Sequence, residues 1–186
     1  MTLVSASGPA VARLLLRVVA AVSLVAWLSL GAEVRILRDH GMQSWAAFTL
    51  GYDHDTPESI AATVDFALQS KFTFAAYNIL MPYPNTPLYR KLEQEGRLLY
   101  DGKWWLHPEY RFNSAAYVPT RMSADELTAA CHAARTRFNS FGSLLSRFAD
   151  PKTHLRSAAR IGAYWYYTLI FRKELYKKHG MRFGLH

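Results

Sequence analysis

The side chains able to do acid–base, nucleophilic or metal chemistry are scattered along this sequence. Seven histidines fall without ligand spacing, and one thiol, Cys131, stands alone. A lone thiol excludes an internal disulfide and any metal centre built from several cysteines of this chain. The nearest thing to a ligand cluster is Asp53-His54-Asp55, which could hold a metal. It lacks further ligands and precedes a helix cap, so turn chemistry is the better account of it. There is no dinucleotide glycine pattern, phosphate loop, serine elbow or paired-histidine zinc motif. No catalytic triad can be proposed from residue order. The sequence names no catalytic residue and no metal ligand.

What the chain does carry is two stiff loops. "FTLGYDHDTPES" and "MPYPNTPLYRKL" each end an apolar run and pass through threonine and proline into a helix. Thr56 and Thr86 are placed as N-caps, with Pro57 and Pro87 at the first helical positions. Asn85 sits where the chain turns, and asparagine tolerates a left-handed backbone better than most residues. The apolar runs before these loops predict buried strands over 45–51 and 72–80. The helix between them makes a crossover long enough to demand parallel pairing.

Around this unit the elements are less regular. "EVRILRDHG" predicts a short helix stopped by Gly41. After Leu99 comes a long aromatic segment without period, read as ordered but irregular. A capping box at Ser123 and Glu126 opens a long helix. Its apolar stripe runs Leu127, Cys131, Ala134, Phe138, Phe141, Leu145, Phe148, kinked at most near Gly142 and ended by Pro151. A last helix, "SAARIGAYWYYTLIFRKELYKKHG", is aromatic in its middle and basic at its end.

Hydrophobic residues make up 51% of the chain and charged ones 19%, which excludes a disordered protein. The net charge of +8 is uneven, because Pro151 to His186 holds eight Lys/Arg against one Glu. No aromatic–basic nucleic-acid signature accompanies that tail, so a solvated helix face is favoured over nucleic-acid binding. Residues 1–32 differ from the rest: Val18 to Ala32 is an uncharged run of fifteen after two arginines. That is short of the roughly 18–20 residues that span a bilayer. A buried or poorly formed helix and a membrane anchor are the alternatives for it, and the abrupt change at Glu33 favours a start foreign to the fold.

The pair "FTLGYDHDTPES" and "NILMPYPNTPLYRKLEQEGRL" resembles the last two strand–helix units of radical S-adenosylmethionine (SAM) enzymes. The branch it looks like often carries a cobalamin-binding domain. "WWLHPEYRFNSAAYVPTRMSADEL" and "LIFRKELYKKHG" are similar to that branch's C-terminal extension. The sequence departs from the family at Asn85, where the loop usually has glycine, and in lacking the cluster-binding C-x-x-x-C-x-x-C segment.

The resemblance implies an α/β fold: the C-terminal part of a partial (β/α) barrel at 33–99, then a mainly helical extension over 100–186. In the family a 4Fe–4S cluster held by three thiolates binds SAM, and cobalamin serves some members. By the resemblance Leu50 and Gly51 line the adenine side of SAM, and Met81, Pro82 and Tyr83 meet the adenine edge through backbone groups. Trp104, Trp105, His107 and Tyr110 of the extension are candidates for contact with a small-molecule or lipid-like substrate. The chain is then expected to be a cytoplasmic fragment, inactive and cofactor-free without the missing N-terminal half. The rival is a non-enzymatic, membrane-associated protein using the apolar lead and the basic aromatic helix at a membrane surface.

Overall fold

The computed structural model describes residues 30–178 and 180–182. The reading of 1–32 therefore lies outside the described residues, except that 30–32 are helical. Helix α1 (residues 30–39) turns Val34 into the core, leaves Ile36 and Leu37 exposed, and is followed by Gly41 at a φ of 76°. Strands β1 (Trp45–Leu50) and β2 (Phe74–Ile79) pair in parallel, in register from Trp45↔Phe74 to Leu50↔Ile79. Helix α2 (Pro57–Gln69) makes the crossover between them.

The caps form as their chemistry requires. Thr56 accepts from Ser59 N and shares a reciprocal capping box with it, Thr86 accepts from Tyr89 N ahead of α3 (Pro87–Gln94), and Ser123 accepts from Glu126 N ahead of α4 (Ala124–Phe138). Both strands are shorter than predicted. Gly51 leaves β1 at a φ of 102°, and the carbonyls of Phe72 and Thr73 are taken by the Arg147 side chain. Among the described residues the sheet has two strands, which makes a mixed α/β fold without a barrel.

One face of the sheet is the core. Leu50, Ala75, Tyr77 and Ile79 cluster with Ile60, Val64 and Ala67 of α2 and with Leu127, Cys131, Ala134 and Phe138 of α4. The opposite face starts with Trp45, which stays exposed with edge-on contacts to α6 (Ala158–Lys178), and Phe74, on which Phe171 of α6 stacks at 3.9 Å. Farther along, Thr49 and Asn78 stay open on that face. The irregular segment joins the same core through Ala115 and Tyr117.

The single long helix expected from Ser123 is two helices. α4 stops at Phe138, and Ser140 caps α5 (Phe141–Phe148) by accepting from Ser143 N. The new start rotates the second half, so Phe141 and Leu145 lie on the surface at 59% and 57% exposure while Leu144 and Arg147 are buried. The break falls three residues before Gly142, because a serine able to cap competes with helix continuation.

Arg147 is the most consequential buried charge. Its guanidinium donates to the carbonyls of Phe72 (2.8 Å), Thr73 (2.9 Å) and Phe138 (2.9 Å), and its Nε to Ser143 Oγ (3.2 Å). It also stacks over the Phe138 ring at 3.8 Å. Removing it strands three acceptors at a cost of about 1–3 kcal/mol for each that stays dry. Arg147→Met should therefore lower the unfolding free energy by about 2–4 kcal/mol in urea titration. Arg137→Met, which breaks an exposed ion pair with Asp65, should cost under about 1 kcal/mol.

His154 predicts a pH dependence. It is fully buried, its Nδ1 lies 3.0 Å from Gln43 Nε2, and burial lowers its pKa from 6.5 to about 4. The unfolded chain then binds this proton more readily than the folded one, so the contribution is complete above pH 6.5 and fades toward pH 4. Each pH unit inside that window removes up to about 1.4 kcal/mol. The melting temperature should fall across it, and His154→Gln should flatten the slope.

Candidate functional site

Parallel strands joined by a crossover helix send their C-terminal ends to one edge, where the following loops meet. Here the loops after Leu50 and Ile79 do so. A cavity of about 580 Å³ opens beside them, within the size range of ligand sites. Thr49 and Asn78 of the open sheet face form its floor, Met81 and Tyr83 one wall, and Trp104 and Tyr110 another. Arg135 of α4 closes the remaining side, shared with a smaller cavity of about 200 Å³.

The structure sorts the predicted site residues. It brings Met81, Tyr83, Trp104 and Tyr110 together around one cavity. Trp104 and Tyr110 are buried with ring centroids 5.1 Å apart, and the Tyr110 hydroxyl donates to Ser114 O. Burial raises the Tyr110 pKa to about 12, so the phenol stays neutral. Trp105 packs edge-on against Trp104 and His107 against Tyr100, and neither lines the cavity. Leu50 is in the core. Gly51 lines a separate pocket of about 230 Å³ between β1 and α3.

The backbone of the two loops is largely occupied by the protein itself. Gly51 N donates to Asp55 Oδ2 at 2.7 Å, and Gly51 O accepts from the Tyr117 hydroxyl. Pro82 O accepts from Trp104 Nε1 at 3.1 Å, Met81 O from Tyr83 N, and Tyr83 O from the backbone and hydroxyl of Thr86. Asn85 takes the left-handed backbone the turn requires, at a φ of 65°. The loop is rigid through these bonds and offers the cavity side chains more than backbone.

Asp53-His54-Asp55 is turn and ion-pair chemistry. Asp55 accepts from Gly51 N and Tyr52 N, while Asp53 gathers Lys91, Thr120 and Arg97. The Lys91 hydrogen bond leads in lowering the Asp53 pKa to about 2. Among the described residues no group of three or more His, Cys, Asp or Glu could hold a metal ion. Cys131 is buried, its Sγ donates to Tyr77 O at 3.5 Å, and burial raises its pKa. That thiol does not fit a cluster ligand. The cavity fits an organic molecule with an aromatic or apolar body.

Arg135 is the residue that sequence reasoning missed. It is 8% exposed, its Nε donates to Tyr77 O at 2.7 Å, and burial lowers its pKa. No described carboxylate forms an ion pair with it. Its position four residues after Cys131, inside the apolar stripe of α4, was the available signal.

One stretch of the chain is 37% identical over 68 residues to hopanoid C-2 methylase of Rhodopseudomonas palustris (strain TIE-1), covering 37% of this chain and 13% of that protein. Another match, 32% identical over 96 residues, is to bacteriochlorophyllide d C-12(1)-methyltransferase of Chlorobaculum tepidum, covering 52% of this chain and 20% of that protein. The chain thus spans a fifth or less of the curated relatives it matches. Both are named for methyl transfer. No family model and no solved structure matches the chain. Among the described residues no helix is long and apolar enough to cross a membrane.

Gly51 ties the first loop to the core and supplies a test. A Cβ there would sit 2.5 Å from Tyr117 Oη and 2.7 Å from Leu127 Cδ2, on a backbone at a φ of 102°. Gly51→Ala should destabilise the fold by about 2–4 kcal/mol, combining left-handed strain with overpacking. Tyr117→Phe, which only removes the donor to Gly51 O, should cost about 1–3 kcal/mol. Chemical denaturation of both variants measures the difference.

Proposed function

We propose that this chain is the C-terminal portion of a radical SAM methyltransferase. In this reading the cavity at the C-terminal strand ends is the side of the active site that takes the adenine of SAM and the substrate. The observation that carries it is the convergence of Met81, Tyr83, Trp104 and Tyr110 on one cavity beside two parallel strands. The relatives named for methyl transfer support the reaction class. SAM supplies the methyl group and, when cleaved, the radical. The chain's own part is to hold flat and apolar ligand surfaces against the aromatic wall and to keep bulk water from them.

The 4Fe–4S cluster belongs to a partner segment, because Cys131 is buried and engaged with Tyr77 O. The missing N-terminal half of the barrel is that partner. Cobalamin, where used, binds outside this chain, and the substrate is a small or lipid-like molecule.

The test is reconstitution. The chain is co-expressed with a polypeptide carrying the C-x-x-x-C-x-x-C segment and the upstream barrel of a relative. It is then assayed anaerobically for 5′-deoxyadenosine and for methyl transfer from labelled SAM. The chain alone should do neither and the combination should do both. Trp104→Ala should lower turnover by about tenfold or more, in line with the loss of a substrate-positioning contact. A combination no more active than the upstream polypeptide alone overturns the reading.

A further inference from the structure

The cavity has one cationic side. Arg135 reaches it from α4 with Nε fixed on Tyr77 O, which holds the plane of the guanidinium in one orientation. The two terminal nitrogens take no partner among the described residues. Lys and Arg are almost never buried to this degree without a counter-charge. Arg147, the other deeply buried arginine, has every edge of its guanidinium engaged by carbonyls and a hydroxyl, and it lines neither cavity. Arg135 differs in facing open space between two cavities. Glu174 of α6 shares the smaller cavity but is not bonded to it.

The surroundings specify what would complete this half-satisfied charge. A planar guanidinium whose two terminal nitrogens form one free fork matches a carboxylate or phosphate bidentately, and such bonds are roughly twice as strong as neutral ones. Asn78, Asn113 and Ser114 line the same cavity and can bond a second polar group. Trp104, Tyr110 and Tyr83 line the same cavity and suit an apolar or aromatic body.

We propose that Arg135 is an anion receptor: the cavity binds an amphipathic molecule whose carboxylate or phosphate sits on Arg135 and whose apolar body lies along the Trp104–Tyr110 wall. This deepens the SAM-enzyme reading by giving its ligand a chemical class. The anion belongs either to the substrate or to the amino-acid end of SAM.

The full chain is titrated with naphthoate, naphthyl phosphate and the neutral naphthylmethanol, following tryptophan fluorescence and the melting temperature. Both anions should bind at least about tenfold more tightly than the alcohol, the scale expected for a desolvated charge-assisted pair. Arg135→Gln should reduce the anions to the level of the alcohol while leaving the alcohol unchanged. Arg135→Lys should keep part of the preference, and the surface control Arg137→Gln should keep all of it. Equal binding of anion and alcohol by the unmodified chain overturns the proposal, as does a preference that survives in a folded Arg135→Gln. Should that variant melt early, the comparison on the unmodified chain decides by itself. S-adenosylhomocysteine and 5′-methylthioadenosine, which lacks the carboxylate, then separate the sources: an advantage of the former in displacing naphthoate that is lost in Arg135→Gln assigns the anion to SAM, and equal displacement or simultaneous binding assigns it to a second ligand. The titrations need neither cluster nor turnover. Their failure therefore leaves the SAM-enzyme reading standing, and failed reconstitution leaves the anion site standing.

Discussion

The backbone of β2 governs this structure because among the described residues it has a sheet partner on one side only. A strand with an unpaired edge must find donors or stay wet. α4 and α5 supply them: Cys131 and Arg135 reach Tyr77 O, and Arg147 reaches Phe72 O and Thr73 O. These bonds do what a third strand would otherwise do, and they fix where the two helices lie. They also explain two buried arginines without carboxylates, since guanidinium groups rich in donors suit a row of bare carbonyls. Desolvating each cation is costly; several acceptors converge on Arg147 to offset it, while Arg135 has Tyr77 O alone.

Much of the fold was legible from local chemistry. Thr56, Thr86 and Ser123 cap helices wherever the rest of the chain goes, because the cap bond closes within three residues. Parallel pairing followed from crossover length alone. The break between α4 and α5 was not legible, although its parts were in view. Phe141 and Leu145 continue the spacing of the stripe above them, yet both face solvent. Ser140 restarts the helix at a new angle, and what favours the restart lies elsewhere: Arg147 must meet Phe72 and Thr73 from α5, and Tyr164 must reach Leu144 O. Contacts 20 or more residues away in sequence leave no periodic trace.

The site was legible in the same uneven way. Met81, Tyr83, Trp104 and Tyr110, singled out through the family resemblance, line one cavity, while Leu50, Gly51, Pro82, Trp105 and His107 do not. Met81, Pro82 and Tyr83 were expected to offer backbone groups, and in the fold the Trp104 indole N–H donates to Pro82 O while Tyr83 N and Thr86 occupy Met81 O and Tyr83 O. Side chains distant in sequence compete for such groups, and a single sequence does not show which wins. Arg135 was hidden for the opposite reason. A basic residue on an amphipathic helix is usually a solvated charge, and only the free edge of β2 turns this one inward.

The rigidity of the proline loop bears on how the cavity would discriminate. Pro82 O, Met81 O and Tyr83 O are all engaged internally, and Thr86 ties the loop to the start of α3. A ligand therefore meets a surface that need not be ordered on binding, which removes part of the entropic cost of association. Such a wall selects by shape and apolar area, which distinguish weakly between similar ligands. A buried cation distinguishes strongly, because a ligand without the matching anion leaves it desolvated and unpaired. With the wall and Arg135 lining one cavity, orientation and selectivity come from different residues. The aromatic side can then change to suit another apolar body without disturbing the hydrogen bond from Arg135 to Tyr77 that anchors α4 to the sheet.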